Sequence, residues 1–98
     1  MPRVRCLAVR WISEDPFPGL VECHLVDANG TVHVLVDKTA VLDDTDRLRP
    51  GAAYPMELQL DCRVVAETAD AIEIELAHGV IDGLGRAVFF IKRGHLIG

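Results

Sequence analysis

Apolar and polar residues alternate repeatedly with a period of two, and this pattern indicates a chain built from β-strands. The longest example is YPMELQLDCRVVAE, and its apolar side consists of Met56, Leu58, Leu60, Cys62 and Val64. After the turn residues ETAD, the segment AIEIELAH alternates in the same way. Successive side chains of a strand point to opposite faces. The two runs therefore predict a hairpin with a buried inner face and an acidic outer face.

The segment HLVDANGTVH, residues 24–33, contains an Asn-Gly pair that favours a second hairpin. Asn-Gly tolerates the positive φ angles of a two-residue type I′ turn, which pairs Leu25 with Val34. The resulting core face consists of Val21, Cys23, Leu25, Val32, Val34 and Val36, and the exposed face of Glu22, His24, Val26, His33, Leu35 and Asp37. The competing closure is a three-residue loop with Gly30 in the left-handed region, which mixes valines with polar residues. We prefer the two-residue turn because it separates core from solvent residues.

The remaining segments complete a chain of about six strands. The first strand spans residues 3–12 and ends before SEDPFPG, whose prolines favour a loop. In KTAVLDDTDRLRPG, Asp43 or Asp44 can cap a short helical turn carrying residues 47–48. The last strand is AVFFI, residues 87–91.

This order predicts an all-β fold, a small antiparallel barrel of about six strands with a short helical turn between strands 3 and 4. It resembles the five-stranded OB barrel with one strand added, and an SH3-like barrel or a small sandwich accommodates it nearly as well. The chain has 98 residues, which suits one core. We therefore assign residues 1–98 to a single small β-barrel domain.

Composition narrows the classes of partner and compartment. A formal net charge of −5 disfavours general nucleic-acid binding, which depends on clustered Lys and Arg. Three arginines interrupt MPRVRCLAVRW, so this segment lacks the apolar region of a signal peptide, and no run approaches the length of a membrane span. We expect a cytoplasmic protein without membrane contact. No two of its three cysteines form a C-x-x-C motif, and we expect all three to be reduced.

Residues suited to catalysis or metal binding are few. Ser13 stands in an acidic loop without a fixed histidine partner, and His78 continues an inward-pointing series at the end of a strand. The glycines of HGVIDGLGR precede a strand, which favours a hairpin connection over a phosphate site. Two histidines on one face of the predicted hairpin make a weak candidate metal site, which consists of His24, His33, Glu22 and Asp37. We expect no catalytic residue and no cofactor.

Two functional hypotheses follow. The leading one is a non-catalytic module that binds protein, as a homodimer or as an acidic inhibitor or immunity-type partner of a basic protein. Its predicted binding residues are Glu57, Asp61, Glu73 and Glu75. The first and last strands, apolar on both faces, need cover from the barrel or from a partner. The alternative is an OB-like protein that binds single-stranded nucleic acid along a stripe across neighbouring first and last strands. That stripe consists of Arg3, Arg5, Arg10, Trp11 and Lys92.

Overall fold

The computed structural model describes residues 1–98 and consists of seven strands and two short helical turns. The elements are β1 (Arg3–Ser13), β2 (Leu20–Val26), β3 (Val32–Lys38), α1 (Thr39–Leu42), β4 (Met56–Glu67), β5 (Ile72–Leu76), β6 (Val88–Ile91), a 3₁₀ turn (Arg93–His95) and β7 (Leu96–Ile97). Neither helical turn has the length and hydropathy needed to cross a membrane.

Six strands form one antiparallel sheet in the order β3-β2-β1-β4-β5-β6, and β7 pairs with the start of β1. The two long strands, β1 and β4, each pair with different neighbours along their lengths, which allows the sheet to curl. β4 pairs with β1 through residues 56–61 and with β5 through residues 62–67. β1 in turn reaches β2 through residues 7–13. This curled half-barrel, with a helical turn directly after β3, confirms the predicted all-β fold class.

Alternate strand residues point inward and form a mostly aliphatic core. Its largest fully buried side chains include Leu25, Leu35, Leu58, Ile74 and Ile91. Cys6, Cys23 and Cys62 are buried and form no disulfide in the structure. A hydrogen bond with Cys23, together with burial, raises the pKa of the Cys6 thiol. The thiol is therefore held in its protonated, unreactive form.

The predicted register of the β2–β3 hairpin is wrong by one residue. In the structure His24 lies opposite Val34, and Cys23 lies opposite Leu35. His33 and Leu35 consequently point into the core and are buried. The outward side chains of β3 are Val32, Val34 and Val36, all of them exposed. The three valines assigned to the core thus face solvent.

The Asp27 carboxylate explains why the three-residue loop forms. Its Oδ1 atom accepts hydrogen bonds from the backbone N–H groups of Asn29, at 2.9 Å, and Thr31, at 3.0 Å. The N–H group of Gly30 donates to the Asp27 carbonyl at 3.0 Å, with Gly30 at a φ of 81°. An aspartate that accepts from the following N–H groups stabilises a type I turn, and a glycine in the left-handed position then closes the hairpin with a bulge.

The helical turn lies earlier than predicted. It spans Thr39–Leu42, and Asp43 ends it instead of capping a following helix. The Asp43 carboxylate accepts a hydrogen bond from Thr45 Oγ1 at 2.6 Å and lies 3.4 Å from Arg47 Nε. A side chain bound to these residues holds a local loop rather than free helical N–H groups. The predicted helix over residues 47–48 is therefore wrong.

The curled sheet closes where β3 approaches β6 and the loop before it. Leu35 forms a β-bridge with Asp82, and the Ala28 N–H group donates to the Phe90 carbonyl at 2.8 Å. Residues 77–87 thus connect β5 to β6 and also reach β3. This connection agrees with the predicted hairpin-type loop.

We call the line along which β3 approaches β6 and the loop before it the seam. A buried polar cluster stabilises the seam around His33, whose side chain is 9% exposed. His33 Nε2 lies 2.8 Å from Asp27 Oδ2, and Arg86 Nη2 lies 3.4 Å from His33 Nδ1. These partners fit a neutral imidazole that donates from Nε2 and accepts at Nδ1. The Asp82 carboxylate, 3.8 Å from Nδ1, accepts from the backbone N–H of Arg86 at 2.8 Å. The ring of Phe89 packs at 4.7 Å between centroids.

We expect His33→Ala to lower the free energy of unfolding by about 2–3 kcal/mol, because it removes a buried ring and leaves hydrogen-bonding groups unpaired. His24→Ala is the matched control. His24 lies on the outer face of the same hairpin, so its loss should cost less than about 1 kcal/mol. Urea unfolding of both variants measures the difference, and equal effects would contradict the observed register.

Candidate functional site

Arginines lie beside most of the carboxylates that the sequence assigns to protein binding. The three ion pairs of this outer face are Arg5–Glu57, Arg3–Asp61 and Arg63–Glu75. Glu73 lies opposite Phe90 of β6 and has no ion-pair partner. The outer face of β4 and β5 is therefore a mixed-charge surface, whose attraction for a basic protein is weaker than its carboxylates alone would give. Binding through Glu57, Asp61, Glu73 and Glu75 stays a prediction.

The arginines and tryptophan assigned to nucleic-acid binding do not form one stripe. The arginines bind carboxylates as Arg3–Asp61, Arg5–Glu57 and Arg10–Glu22. Trp11 is half-buried against the core and covers Gly19, where an added Cβ would clash with the indole ring. Lys92 follows β6, whereas β1 has β2, β4 and β7 as its neighbours. The predicted stripe requires β1 to lie beside the strand at residues 87–91, which is β6, and these two strands are not neighbours.

The proposed metal ligands do not converge. His33 points into the core toward Asp27, whereas His24 lies on the outer face and binds Glu22, with 2.7 Å between Nε2 and Oε2. Asp37 accepts a hydrogen bond from the N–H group of Lys38. No group of three or more His, Cys, Asp or Glu side chains lies close enough to hold a metal ion. The prediction that His24 and His33 share an exposed face is wrong because of the register shift.

An open groove of about 850 Å³ lies between the 40–47 segment and the outer face of β4. His78 lies at its edge with a φ of 62°, and its ring turns outward instead of continuing the inward series. Its Nε2 atom lies 2.8 Å from Asp61 Oδ2. This hydrogen bond is the main reason why the pKa of Asp61 lies below its ordinary value. The outward position corrects the sequence expectation for His78.

The groove lacks the nucleophile that would turn the Asp61–His78 pair into a catalytic triad. Such a triad needs a hydroxyl or thiol hydrogen-bonded to the histidine. Thr45 provides the groove's hydroxyl, but Oγ1 donates to Asp43 at 2.6 Å. Ser13 donates to the Asp15 carbonyl at 2.6 Å. The Asp61–His78 pair is therefore not part of a catalytic triad in this structure.

An exposed apolar surface covers the outer side of the other half of the sheet. We name it the valine face, and its members are Leu7, Val26, Val32, Val34 and Val36. Val26 lies opposite Val32, and His24 lies between Val34 and Leu7 in one cross-strand row. Residues opposed across strands are separated by about 5 Å between Cβ atoms. The five side chains, together with the His24 ring, thus form one continuous surface.

The valine face extends across the seam toward the loop before β6. The Leu35–Asp82 bridge is antiparallel, so Ile81 lies beside Val36. Ile81 is also exposed. Apolar residues clustered in this way differ from single exposed hydrophobic side chains, which are common on any protein surface.

The charged side chains next to the valine face are largely paired. Glu22 lies 2.8 Å from Arg10 Nη2 and 2.7 Å from His24 Nε2. The hydrogen bond with His24, followed by that with Arg10, lowers the pKa of the Glu22 carboxyl. Lys38, at the end of β3, is a border charge without an ion-pair partner. The face is thus close to electrically neutral on a chain whose formal charge is −5.

Comparison of the chain with protein-family models, with curated proteins and with solved structures gives no significant match.

The sequence does contain a signal for the valine face. In Asp-Ala-Asn-Gly, the aspartate at the first turn position and the glycine at the fourth are typical of a type I turn followed by a bulge. That closure turns Val32, Val34 and Val36 outward. The turn residues thus predict the exposed valines correctly, whereas the hydrophobic pattern of β3 does not.

Replacement of His78 provides a test of the groove geometry. In His78→Gln the pKa of Asp61 should rise toward the ordinary value of 3.8, because its main hydrogen-bond partner is changed. The lowered pKa of Asp61 stabilises the fold above pH 3.8, and this contribution disappears as the pH falls through the folded-state pKa. A carboxyl-carbon NMR titration measures the change. In the control, His24→Gln should raise the pKa of Glu22 and leave that of Asp61 unchanged.

Proposed function

We propose that this protein is a non-catalytic interaction module that binds another protein molecule through the valine face. The observation that carries the proposal is the continuous set of exposed apolar side chains on the outer side of β1, β2 and β3. Contiguous apolar surface on a folded domain is a common mark of a protein-binding site. The proposal keeps the class of function expected from the sequence but moves the binding surface away from the acidic strands.

The energetics support an apolar contact. Each of the three β3 valines is roughly half exposed, and its burial contributes on the order of 1 kcal/mol. Branched side chains on a strand also have little rotamer freedom to lose on binding. A pre-ordered valine surface therefore binds an apolar partner with a small entropic cost.

The charge distribution gives less support to a contact with a basic protein. Glu57, Asp61 and Glu75 already have arginine partners. A basic partner would have to compete with these ion pairs, whereas an apolar partner meets no such competition at the valine face. If a basic protein binds the acidic residues of β4 and β5 instead, the experiment below can detect it.

Site-specific photo-cross-linking tests the proposal. A benzoyl-phenylalanine residue is placed at Val34, at the centre of the valine face, or at Val65, a similarly exposed valine of β4. Irradiation of the cells that produce the protein should give a protein adduct at position 34 and little at position 65. The adduct should disappear when Val36→Asp is added. Equal labelling at both positions, or an adduct from a third benzoyl-phenylalanine placed at Glu73 with none at position 34, would contradict binding through the valine face.

A further inference from the structure

We infer that Asn29 is a latent modification site, which loses its side-chain amide as ammonia only when the Asp27 turn opens and whose isoaspartyl product prevents that turn from closing again. Asn29 is the only asparagine of the chain, is exposed and precedes Gly30. A following glycine favours this reaction, because it has no side chain to hinder its own backbone nitrogen and restricts the backbone least. The modification requires no partner protein, so it is independent of the proposed function.

The reaction joins two groups that are neighbours along the chain. The backbone nitrogen of Gly30 attacks the side-chain carbonyl carbon, Cγ, of Asn29, and the new N–Cγ bond closes a cyclic imide. The Cγ–Nδ2 bond breaks, and the departing nitrogen takes up the proton that the Gly30 nitrogen gives up and leaves as ammonia. Water then opens the ring. Its attack at Cγ leaves an ordinary aspartate, whereas its attack at the main-chain carbonyl carbon leaves an isoaspartyl link, in which the backbone runs through Cβ and Cγ.

The native turn keeps the two reacting atoms apart. The Gly30 N–H group, whose nitrogen is the nucleophile, donates to the Asp27 carbonyl at 3.0 Å. This bond closes a type I turn with Asn29 as its third residue, and a residue in that position has a ψ of about 0°. At that ψ the Gly30 nitrogen eclipses the backbone nitrogen of Asn29, whereas ring closure requires it to eclipse Cβ. The Asn29 side chain therefore does not react while the turn is closed.

Opening of the turn requires several hydrogen bonds to break together. Asp27 Oδ1 accepts from the backbone N–H groups of Asn29, at 2.9 Å, and Thr31, at 3.0 Å. The Asp27 N–H group donates to the Thr31 carbonyl at 2.9 Å. The other carboxylate oxygen, Oδ2, lies 2.8 Å from Nε2 of the buried His33. Because local opening costs the free energy of the contacts that it breaks, the Asp27–His33 contact controls how often Asn29 becomes reactive.

The isoaspartyl product lengthens the loop. Its backbone contains one additional carbon between Cα of residue 29 and the Gly30 nitrogen, whereas the hydrogen bonds from Gly30 and Thr31 to Asp27 require the native spacing. Turn type and loop length fix the register of a hairpin. The product therefore loses the Asp27 turn and, with it, the contact that keeps His33 in the core. Because ammonia leaves, the change is one-way.

Ammonia release measures the reaction directly, because Gln59 has the only other side-chain amide of the chain. The native chain should release ammonia at least about tenfold more slowly than the same chain unfolded in urea, because only the opened fraction reacts. The protection of the Gly30 N–H group from hydrogen exchange should match this factor, since both processes need the same opening. Asn29→Gln is the matched control. It keeps an amide at this position but requires a larger ring, so its release should fall to the background of Gln59.

Replacement of His33 tests the role of the Asp27–His33 contact. His33→Ala should accelerate ammonia release from the native chain by at least about fivefold, because the open turn becomes more populated. His24→Ala, on the outer face of the same hairpin, should leave the rate unchanged, and unfolding midpoints establish that both variants are native. If His33→Ala fails to fold, Asp27→Ser replaces it, because a serine hydroxyl still accepts from turn N–H groups but does not reach His33.

The isolated isoaspartyl product is compared with Asn29→Asp, which carries the same added carboxylate on an unchanged backbone. The product should lose the NOE contacts between the rings of His33 and Phe89, whereas Asn29→Asp should keep them. Equal ammonia release from the native and the unfolded chain overturns the inference, as does a native His33→Ala that reacts at the wild-type rate. An isoaspartyl product that retains the ring contacts also overturns it. None of these readouts depends on a cross-link at Val34, so the proposed function fails or stands separately.

Discussion

The buried contact between His33 and the Asp27 carboxylate fixes the arrangement of half the molecule. One oxygen of Asp27 accepts from the N–H groups of the turn, and the other lies 2.8 Å from His33 Nε2. A polar ring in the core is tolerated when its hydrogen-bonding groups have partners. Asp27 thus determines the loop, the register of β3 and the inward position of His33 together. The same ring packs against Phe89 of β6, so the contact also closes the curled sheet.

The surface follows from this core. Once His33 and Leu35 point inward, the two-residue period of the strand turns Val32, Val34 and Val36 toward solvent. The seam also carries a buried carboxylate, Asp82. Burial alone would raise the pKa of Asp82, but hydrogen bonds from Arg86 hold it below its ordinary value. The molecule therefore uses buried polar groups to close its barrel and leaves aliphatic side chains outside, which is the basis of the proposed protein contact.

Sequence patterns predicted the strands better than the surfaces. Alternation located β4, β5 and their inward residues, such as Leu58 and Ile74, because a half-buried strand shows its faces directly. The β2–β3 hairpin failed because valines occupy one face of β3 and His33 the other, so hydrophobicity favoured the wrong side. Only the spatial neighbours of His33 make its burial favourable, and Arg86 lies 53 residues away along the chain. The outward turn of His78 depends likewise on Asp61, 17 residues earlier.

The hairpin register is the claim on which both the core and the proposed binding surface depend, and a two-dimensional NOE spectrum measures it directly. The structure predicts a contact between the α protons of His24 and Val34, and contacts between the ring protons of His33 and Phe89. Opposed residues of an antiparallel pair approach closely enough to give such signals. An α-proton contact between Leu25 and Val34, with the His33 ring free of Phe89, would place the valines in the core and contradict the account.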